Sequence, residues 1–153
     1  MIRFCLPLPA ACSCLLLVAA LSGCGSAGAA PVVSLSPVEG EVTIDGNPVQ
    51  GVSVRFMPRG TTRGQGSYGV TDAAGKYVCM HTSGKPGCEQ GDYVVLFSRM
   101  TTRDGKPIPE NANAADLEAR ESLPARFQNP DSKQNVVNVK GEPNHFDFAL
   151  KTK

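Results

Sequence analysis

The sequence predicts an all-β fold, a seven-stranded antiparallel β-sandwich with one long, partly helical loop. Three observations indicate this fold. Short segments alternate between apolar and polar residues with a period of two, which is typical of half-buried strands. The 16 glycines and 12 prolines among 153 residues disfavour long helices. Turn signals, Asp45-Gly46 and then Asp72-Ala73-Ala74-Gly75, separate these segments. A closed barrel is the structural alternative.

The first 23 residues have the pattern of a secretory signal peptide. Arg3 makes the start positive, and the apolar stretch 6–20 that follows is interrupted by prolines and is shorter than the ~20 residues that a membrane span needs. The junction Leu21-Ser22-Gly23-Cys24 resembles the lipobox of bacterial lipoproteins. That resemblance implies cleavage before Cys24, a diacylglycerol on its thiol and an acyl chain on its new amino group. The alternatives are a retained membrane anchor and ordinary secretion with Cys24 as a spare thiol.

Lipidation at Cys24 predicts a membrane partner and a location in the cell envelope. The outer membrane is favoured because Gly25 stands where an acidic residue is associated with inner-membrane retention. Residues 24–37 are small and uncharged, which is typical of a flexible tether, and residues 38–153 are the predicted domain. Without Arg3 the chain has 14 basic and 14 acidic residues, so no net charge attracts nucleic acid.

The predicted strands form three hairpins around recognisable turns. The first strand pairs with the second around Asp45-Gly46, the third with the fourth around the Asp72 turn, and the sixth with the seventh around residues 141–144. On the third strand the alternation places Tyr68 and Val70 inward. The apolar centre of the fifth strand predicts a central, buried position. In order, the predicted strands are Val38–Ile44, residues 52–57, residues 66–71, a strand containing Tyr77 and Cys79, and residues 91–100, 135–140 and 145–151.

The segment 101–134 is too long for an ordinary connection. Asn113 is placed to cap a short helix over residues 114–122, which Pro124 would end. The segment is either a lid over one open end of the sandwich or the functional part of the domain. The lid is the preferred interpretation.

Two stretches resemble a known family. The pattern G-x-V-T-x-D-G-x-P-V-x-G-V-x-V-x-F at residues 40–56, followed by T-D-x-x-G-x-Y at residues 71–77, resembles the carboxypeptidase regulatory-like domains, which are transthyretin-like β-sandwiches. The later Gly-Asp-Tyr-Val-Val at residues 91–95 is similar to the family's G-x-Y-x-V strand. Residues 123–130 and 145–150 resemble small bacterial envelope lipoproteins that carry this domain alone. The resemblance implies the fold and no catalytic activity.

Cys79 and Cys88 remain as a pair once the leader and Cys24 are set aside. Outside the cytoplasm a disulfide between them is the default expectation, and it would stabilise the fold by about 2.5–3 kcal/mol through chain entropy. A metal site is the alternative, with His81 on the same strand face as Cys79 and His145 as a distant fourth ligand. We expect the disulfide and no metal or other cofactor.

No residue pattern predicts catalysis. His81 and His145 are the only histidines, so a small hydrolytic or metal-binding protein would have to use one of them. No serine lies in a G-x-S-x-G elbow. The hydroxyisourate hydrolases of the transthyretin-like superfamily end in Tyr-Arg-Gly-Ser, and this chain ends in Leu150-Lys151-Thr152-Lys153. We therefore expect no enzyme activity.

The remaining polar and aromatic candidates have simpler roles. Asp45, Asp72 and Asp92 stand beside glycines at strand ends, where turn formation is preferred over a calcium site. A carbohydrate-binding surface would need exposed aromatic rings, and the three tyrosines fall on predicted inward positions. The sequence thus predicts a non-enzymatic structural or interaction module on a lipid anchor, with envelope proteins or polysaccharide as partners and no nucleic acid.

Overall fold

Fourteen short strands and one 3₁₀ helix form the part of the chain that the computed structural model describes, residues 34–109, 112–113 and 115–153. The predicted signal peptide, Cys24 and the tether up to residue 33 lie outside these residues. No helix in the described part is long and apolar enough to cross a membrane. The 3₁₀ helix is Ala125–Gln128, and the strands are β1 Leu35–Ser36, β2 Val38–Ile44, β3 Asn47–Pro48, β4 Ser53–Pro58, β5 Ser67–Val70, β6 Lys76–Val78, β7 Met80–His81, β8 Cys88–Glu89, β9 Gly91–Ser98, β10 Met100–Thr101, β11 Arg120–Glu121, β12 Val136–Val139, β13 Asn144–His145 and β14 Phe148–Leu150.

The first sheet is fully antiparallel and has the order β12-β9-β4-β5-β7. The interior strand β9, between β12 and β4, has the apolar sequence that is typical of a strand covered on both faces, which confirms the predicted buried position of the fifth strand. Val94 and Val95 point to opposite faces and both are buried. The two-residue strand β7 forms one edge and β12 forms the other.

The second sheet is built around β2. Strands β3 and β6 pair with β2 in antiparallel orientation, and β13 and β14 pair with it in parallel. The gap between β13 and β14 lies at Gly40, where a Cβ would be 1.9 Å from the carbonyl oxygen of Phe146. Only glycine lets the two backbones approach so closely, which explains the first glycine of the family-like pattern.

The two sheets face each other across a shared apolar core, so the predicted β-sandwich is confirmed. Rings from both sheets meet there: Phe97 and Phe148 lie edge to face with centroids 5.0 Å apart, and Phe56 lies 6.3 Å from Phe146. The predicted inward faces of β2 and β4 are also confirmed. The fully buried residues with the largest side chains are Tyr77, Tyr93, Phe56, Phe97, Val38, Val42, Val52, Val54, Val95, Val139, Cys79 and Cys88.

The three predicted hairpin pairings are wrong, because each pair of strands is divided between the two sheets. The turn at Asp45-Gly46 does form, with positive φ angles of 50° and 86°. It returns the chain only as far as Asn47 and Pro48, since proline has no N–H to continue the ladder. The chain then crosses to the first sheet and enters β4. Strands β5 and β6, and strands β12 and β13, are divided in the same way.

The folded domain begins earlier than the predicted boundary at residue 38. Leu35 and Ser36 form β1, which pairs with β8 at Glu89 and Cys88. Ser36 is buried. Residues 35 and 36, which were predicted to belong to the tether, are therefore part of the fold.

Candidate functional sites

Cys79 and Cys88 lie side by side in the core, and the structure does not contain the predicted disulfide. Both are free thiols with no exposed surface. The N–H of Gly87 donates to the carbonyl of Cys79 at 2.8 Å, which ties the two cysteine-bearing segments together. Burial, and in Cys79 also the proximity of Cys88, raises the pKa of both thiols. As thiols in the native fold these groups are unreactive, since the thiolate is the nucleophile.

His81 is buried at the start of the β7–β8 connection and is fully engaged. Its Nε2 lies 3.1 Å from Oε1 of Glu89. Its Nδ1 lies 2.8 Å from the hydroxyl of Ser83 and accepts the backbone N–H of the same residue at 3.2 Å. Because Nδ1 accepts that N–H, the ring proton is on Nε2 and is donated to Glu89. The imidazole thus joins the turn to the strand beyond it.

A hydroxyl, an imidazole and a carboxylate in a row are also the components of a Ser-His-Glu hydrolase site. In such a site the imidazole nitrogen next to the hydroxyl takes the serine proton. In this protein the nitrogen next to Ser83 already accepts the backbone N–H of Ser83. The arrangement is that of a side-chain-stabilised turn, in which one residue bonds the backbone two residues later.

His145 lies on the second sheet in a different environment from His81. Its side chain is exposed, with Nε2 3.0 Å from Asp147 and Nδ1 3.9 Å from Glu39. The carboxylate of Asp147 also accepts the N–H of Glu41 at 2.8 Å. The structure does not bring His81 and His145 to one site. Across the described ranges, no group of three His, Cys, Asp or Glu side chains is placed to hold a metal ion.

The predicted role of the three aspartates as turn formers is confirmed for the carboxylate of Asp72, whereas the carboxylates of Asp45 and Asp92 bond residues far away in the sequence. Asp45 accepts the N–H and the hydroxyl of Thr152, and these bonds lower the pKa of its carboxyl. Asp72 accepts two backbone N–H groups of its own turn, at 2.8 and 2.9 Å. Asp92 accepts the side-chain amide of Asn138 at 2.7 Å. Their carboxylates are thus satisfied by separate partners.

The segment 101–134 is not helical over its described residues between 115 and 122, so that prediction is wrong. Asn113 caps only the N–H two residues later, and Glu118 has a positive φ of 48°, which ends any helix. A short isolated helix is marginal in water, and strand pairing competes with it here. Arg120 and Glu121 pair with β10 instead. The one helical turn, Ala125–Gln128, follows Pro124.

Glu121 fastens this segment to the end of β9. Its carboxylate accepts the hydroxyl of Ser98 at 2.5 Å, the N–H of Arg99 at 2.9 Å and the N–H of Leu123 at 2.8 Å. Partial burial raises the pKa of this carboxyl, but the hydrogen bonds together outweigh it and the pKa is lowered. No sequence pattern indicates this role, because two of the partners lie more than 20 residues earlier in the chain.

Leu123 and Phe127 close one side of the sandwich. Both are buried and belong to the core cluster. Arg126, between them, lies over the ring of Phe127 and donates to the carbonyl of Lys151, the residue after β14. The segment thus acts as a lid on the core at this position, which is the interpretation that the sequence favoured.

Two residues that were predicted to face the core, Tyr68 and Val70, lie on the outer face of the first sheet. Tyr68 and Val70 were predicted to point inward, but their exposed fractions are 48% and 59%. The inward positions of β5 belong to Ser67 and Gly69. A Cβ on Gly69 would lie 2.8 Å from the carbonyl oxygen of Val78, so no side chain fits there. The sequence did contain a sign of this orientation, because Ser67 and Gly69 are small residues at alternating positions of β5 and so lie on the same face.

A small cavity of about 270 Å³ lies beside these residues. Arg55 connects the two features, because it lines the cavity and is directly opposite Tyr68 on the neighbouring strand. Met80 lies on the other side of Tyr68, on β7. The lining residues are Ser53, Arg55, Leu96, Phe97, Ser98 and Gln128. We call the surface formed by Tyr68, Val70, Arg55, Met80, Leu96 and this cavity the Tyr68 face.

Comparison with known proteins does not assign the chain to a family. No family model and no curated protein matches the chain. One solved structure is similar over 79% of this chain with 14% identity and a TM-score of 0.36, a DUF3823 family protein from Parabacteroides merdae. The chain spans about half of that protein, 47% of its length. No family assignment follows from these matches.

Proposed function

We propose that this protein is a cell-envelope lipoprotein whose β-sandwich is a non-enzymatic interaction module. The observation that carries the interaction role is the Tyr68 face, where large apolar side chains and an arginine remain exposed on a regular sheet. Exposed apolar groups that cluster on one surface are typical of contact sites. The signal-peptide pattern and Cys24 support the envelope location.

The anchor at Cys24 is tested on the native N-terminus. We expect mass spectrometry of the membrane-extracted protein to find residue 24 as the first residue, with diacylglycerol on its thiol and acyl on its amino group. Several acyl chains hold a protein durably on a membrane, at about 0.8 kcal/mol per buried CH₂. A Cys24→Ala variant should leave the membrane fraction or keep its leader. An unmodified Cys24 in the wild-type protein would contradict the anchor.

The family proposal is a carboxypeptidase regulatory-like, transthyretin-like domain. It is supported by the functions of the matching residues in the fold. Gly40 allows the close approach of Phe146, the Asp45-Gly46 turn has two positive φ angles, and Tyr77 donates to the carbonyl of Phe146 at 2.8 Å. The pattern therefore describes turns and core contacts, and it brings no catalytic residue with it.

The disulfide between Cys79 and Cys88 is part of the proposal for the exported protein. Both cysteines belong to one core cluster, and an oxidising compartment supplies disulfide donors that accept the two thiol hydrogens and their electrons. We expect a peptide map of the envelope-derived protein to contain the Cys79–Cys88 cross-link, and a Cys79→Ser, Cys88→Ser variant to lose stability. Alkylation of both residues after unfolding without reductant would contradict it.

The absence of enzyme activity is proposed and is tested at Ser83. Among the described residues, the side chains of Ser83, His81 and Glu89 form the arrangement that most resembles a hydrolase site. We expect a fluorophosphonate probe to leave Ser83 unlabelled, because the neighbouring Nδ1 already accepts a backbone N–H. Labelling that disappears in both Ser83→Ala and His81→Ala would overturn the non-enzymatic proposal.

A further inference from the structure

The Tyr68 face combines an aromatic ring and a cation in one row across four strands. The cross-strand register places Leu96 of β9, Arg55 of β4, Tyr68 of β5 and Met80 of β7 side by side. All four belong to the outer face, since their neighbours along each strand point into the core. Adjacent strands are about 4.8 Å apart, so Tyr68 and Leu96 are separated by about 10 Å.

Arg55 is an exposed, positively charged side chain on β4. In the part of the chain that the structure describes, no carboxylate forms a salt bridge with Arg55. The other residues of its row are apolar or aromatic, and Ser53 and Met57, two positions away on β4, are uncharged. A planar guanidinium binds a carboxylate with two parallel hydrogen bonds, and this geometry favours it over a simple point charge.

The cavity next to Arg55 supplies neutral hydrogen-bonding groups. Ser53, Ser98 and Gln128 bring two hydroxyls and an amide to its walls, and the Ser98 hydroxyl, which donates to Glu121, remains an acceptor there. Its volume of about 270 Å³ is just below the range of small-ligand pockets, ~300–1,000 Å³. It therefore has room for one ring-sized group with hydroxyls, and the remainder of a longer ligand would lie across Tyr68.

We infer that the Tyr68 face binds a polysaccharide whose sugar units carry carboxylates. A pyranose ring has an apolar face that suits the exposed ring of Tyr68, and a rim of hydroxyls that suits the cavity. The carboxylate complements the unpaired charge of Arg55. A span of about 10 Å suits an oligomer better than a single sugar. The inference rests on the proposed interaction role of this face and names its partner, but it does not depend on the lipid anchor.

The test is native affinity electrophoresis of the full chain, extracted in mild detergent. The gels contain alginate or polygalacturonate as acidic polysaccharides, dextran as a neutral one, or poly-glutamate as an acidic polymer without sugar rings. We expect retardation in the two polyuronates, weaker retardation in dextran and none in poly-glutamate. No retardation in either polyuronate overturns the inference, and equal retardation in poly-glutamate does so too, since charge alone would then explain binding.

Variants locate the binding on the surface. Tyr68→Ala should weaken polyuronate binding at least about tenfold, while Tyr68→Phe, which keeps the ring, should stay within about threefold. Arg55→Gln should remove the preference for polyuronate over dextran. Val136→Ala is the matched control, because Val136 is an exposed apolar residue at the opposite edge of the same sheet. Unchanged binding in Tyr68→Ala, with the fold intact by circular dichroism, overturns the site.

The failure of this inference and the failure of the proposed function give different results. If the face instead binds a protein, none of the polysaccharide gels retards the chain, and cross-linking through residue 68 in envelopes yields a protein adduct that Tyr68→Ala abolishes. That result overturns the polysaccharide and keeps the interaction module. If neither binding nor an adduct depends on Tyr68, both fail.

Discussion

The outer faces of the two sheets differ in how their side chains are satisfied. On the second sheet, His145 lies 3.0 Å from Asp147 and 3.9 Å from Glu39, and Asp147 also accepts the backbone N–H of Glu41. The first sheet presents the Tyr68 face, which is largely apolar and carries an arginine without a carboxylate partner among the described residues. The same core supports both faces, so core packing does not explain the difference. The difference is the reason why the first sheet is proposed as the contact side of the domain.

The largest loss of stability is expected from adding a Cβ to a glycine that packs against a backbone carbonyl oxygen. Gly40→Ala places a Cβ 1.9 Å from the carbonyl oxygen of Phe146, whereas Gly69→Ala, on the first sheet, places one 2.8 Å from the carbonyl oxygen of Val78 on β6. We expect Gly40→Ala to lower the free energy of unfolding by about 3 kcal/mol or more, and Gly69→Ala by less. Urea unfolding of both variants measures this. The reverse order would show that the backbone at Phe146 adapts more readily than the backbone at Val78.

The next largest loss of stability is expected from truncating Phe127, because this residue closes the side of the sandwich between the two sheets. Phe127→Ala removes a buried ring and should cost about 3 kcal/mol, the low end of the range for such truncations. Gln128→Ala, at the following exposed position of the same helix, should change stability by less than about 0.5 kcal/mol. Thermal unfolding of the pair is the measurement. Similar melting temperatures for the two variants would contradict the lid role of this segment.

Glu121 should make the segment 101–134 sensitive to acid. Its pKa is lower in the folded than in the unfolded chain, so its stabilising contribution is present above the unfolded pKa, near 4.3–4.5, and is lost as the pH falls through the folded pKa. Glu121→Gln should lower stability at pH 7 by about 1 kcal/mol and flatten the acid limb of the stability curve. Urea midpoints between pH 7 and pH 3 test this. An unchanged acid limb would show that other carboxyls dominate.

The smallest effect on stability is expected at the Tyr68 face itself. Tyr68→Ala removes an exposed ring and should leave the free energy of unfolding within about 0.5 kcal/mol. Tyr77→Phe, at a buried tyrosine, deletes the hydrogen bond to the carbonyl of Phe146 and should cost about 1 kcal/mol. Chemical denaturation compares the two. A large loss in Tyr68→Ala would mean that Tyr68 serves the fold rather than a partner.

The sequence alone determined where the longer strands lie and, for most of them, which side faces the core, whereas short strands such as β1 and β11 were not predicted. Period-two alternation is a local property, and it placed Val42, Val54, Phe56 and Tyr77 inside the protein. Turn chemistry is equally local, so the Asp45-Gly46 turn formed where it was predicted. These predictions needed only neighbouring residues.

Only the tertiary structure decided which strands pair and what the outer faces carry. Strand partners depend on how two sheets share one core, and neither alternation nor a turn states whether the chain returns to the same sheet or crosses to the other. The orientation of β5 was set by the backbone of Val78, which leaves no space for a side chain at Gly69. Because of this non-local contact, Tyr68 lies on the outer face at the centre of the candidate site and not in the core, where it was predicted.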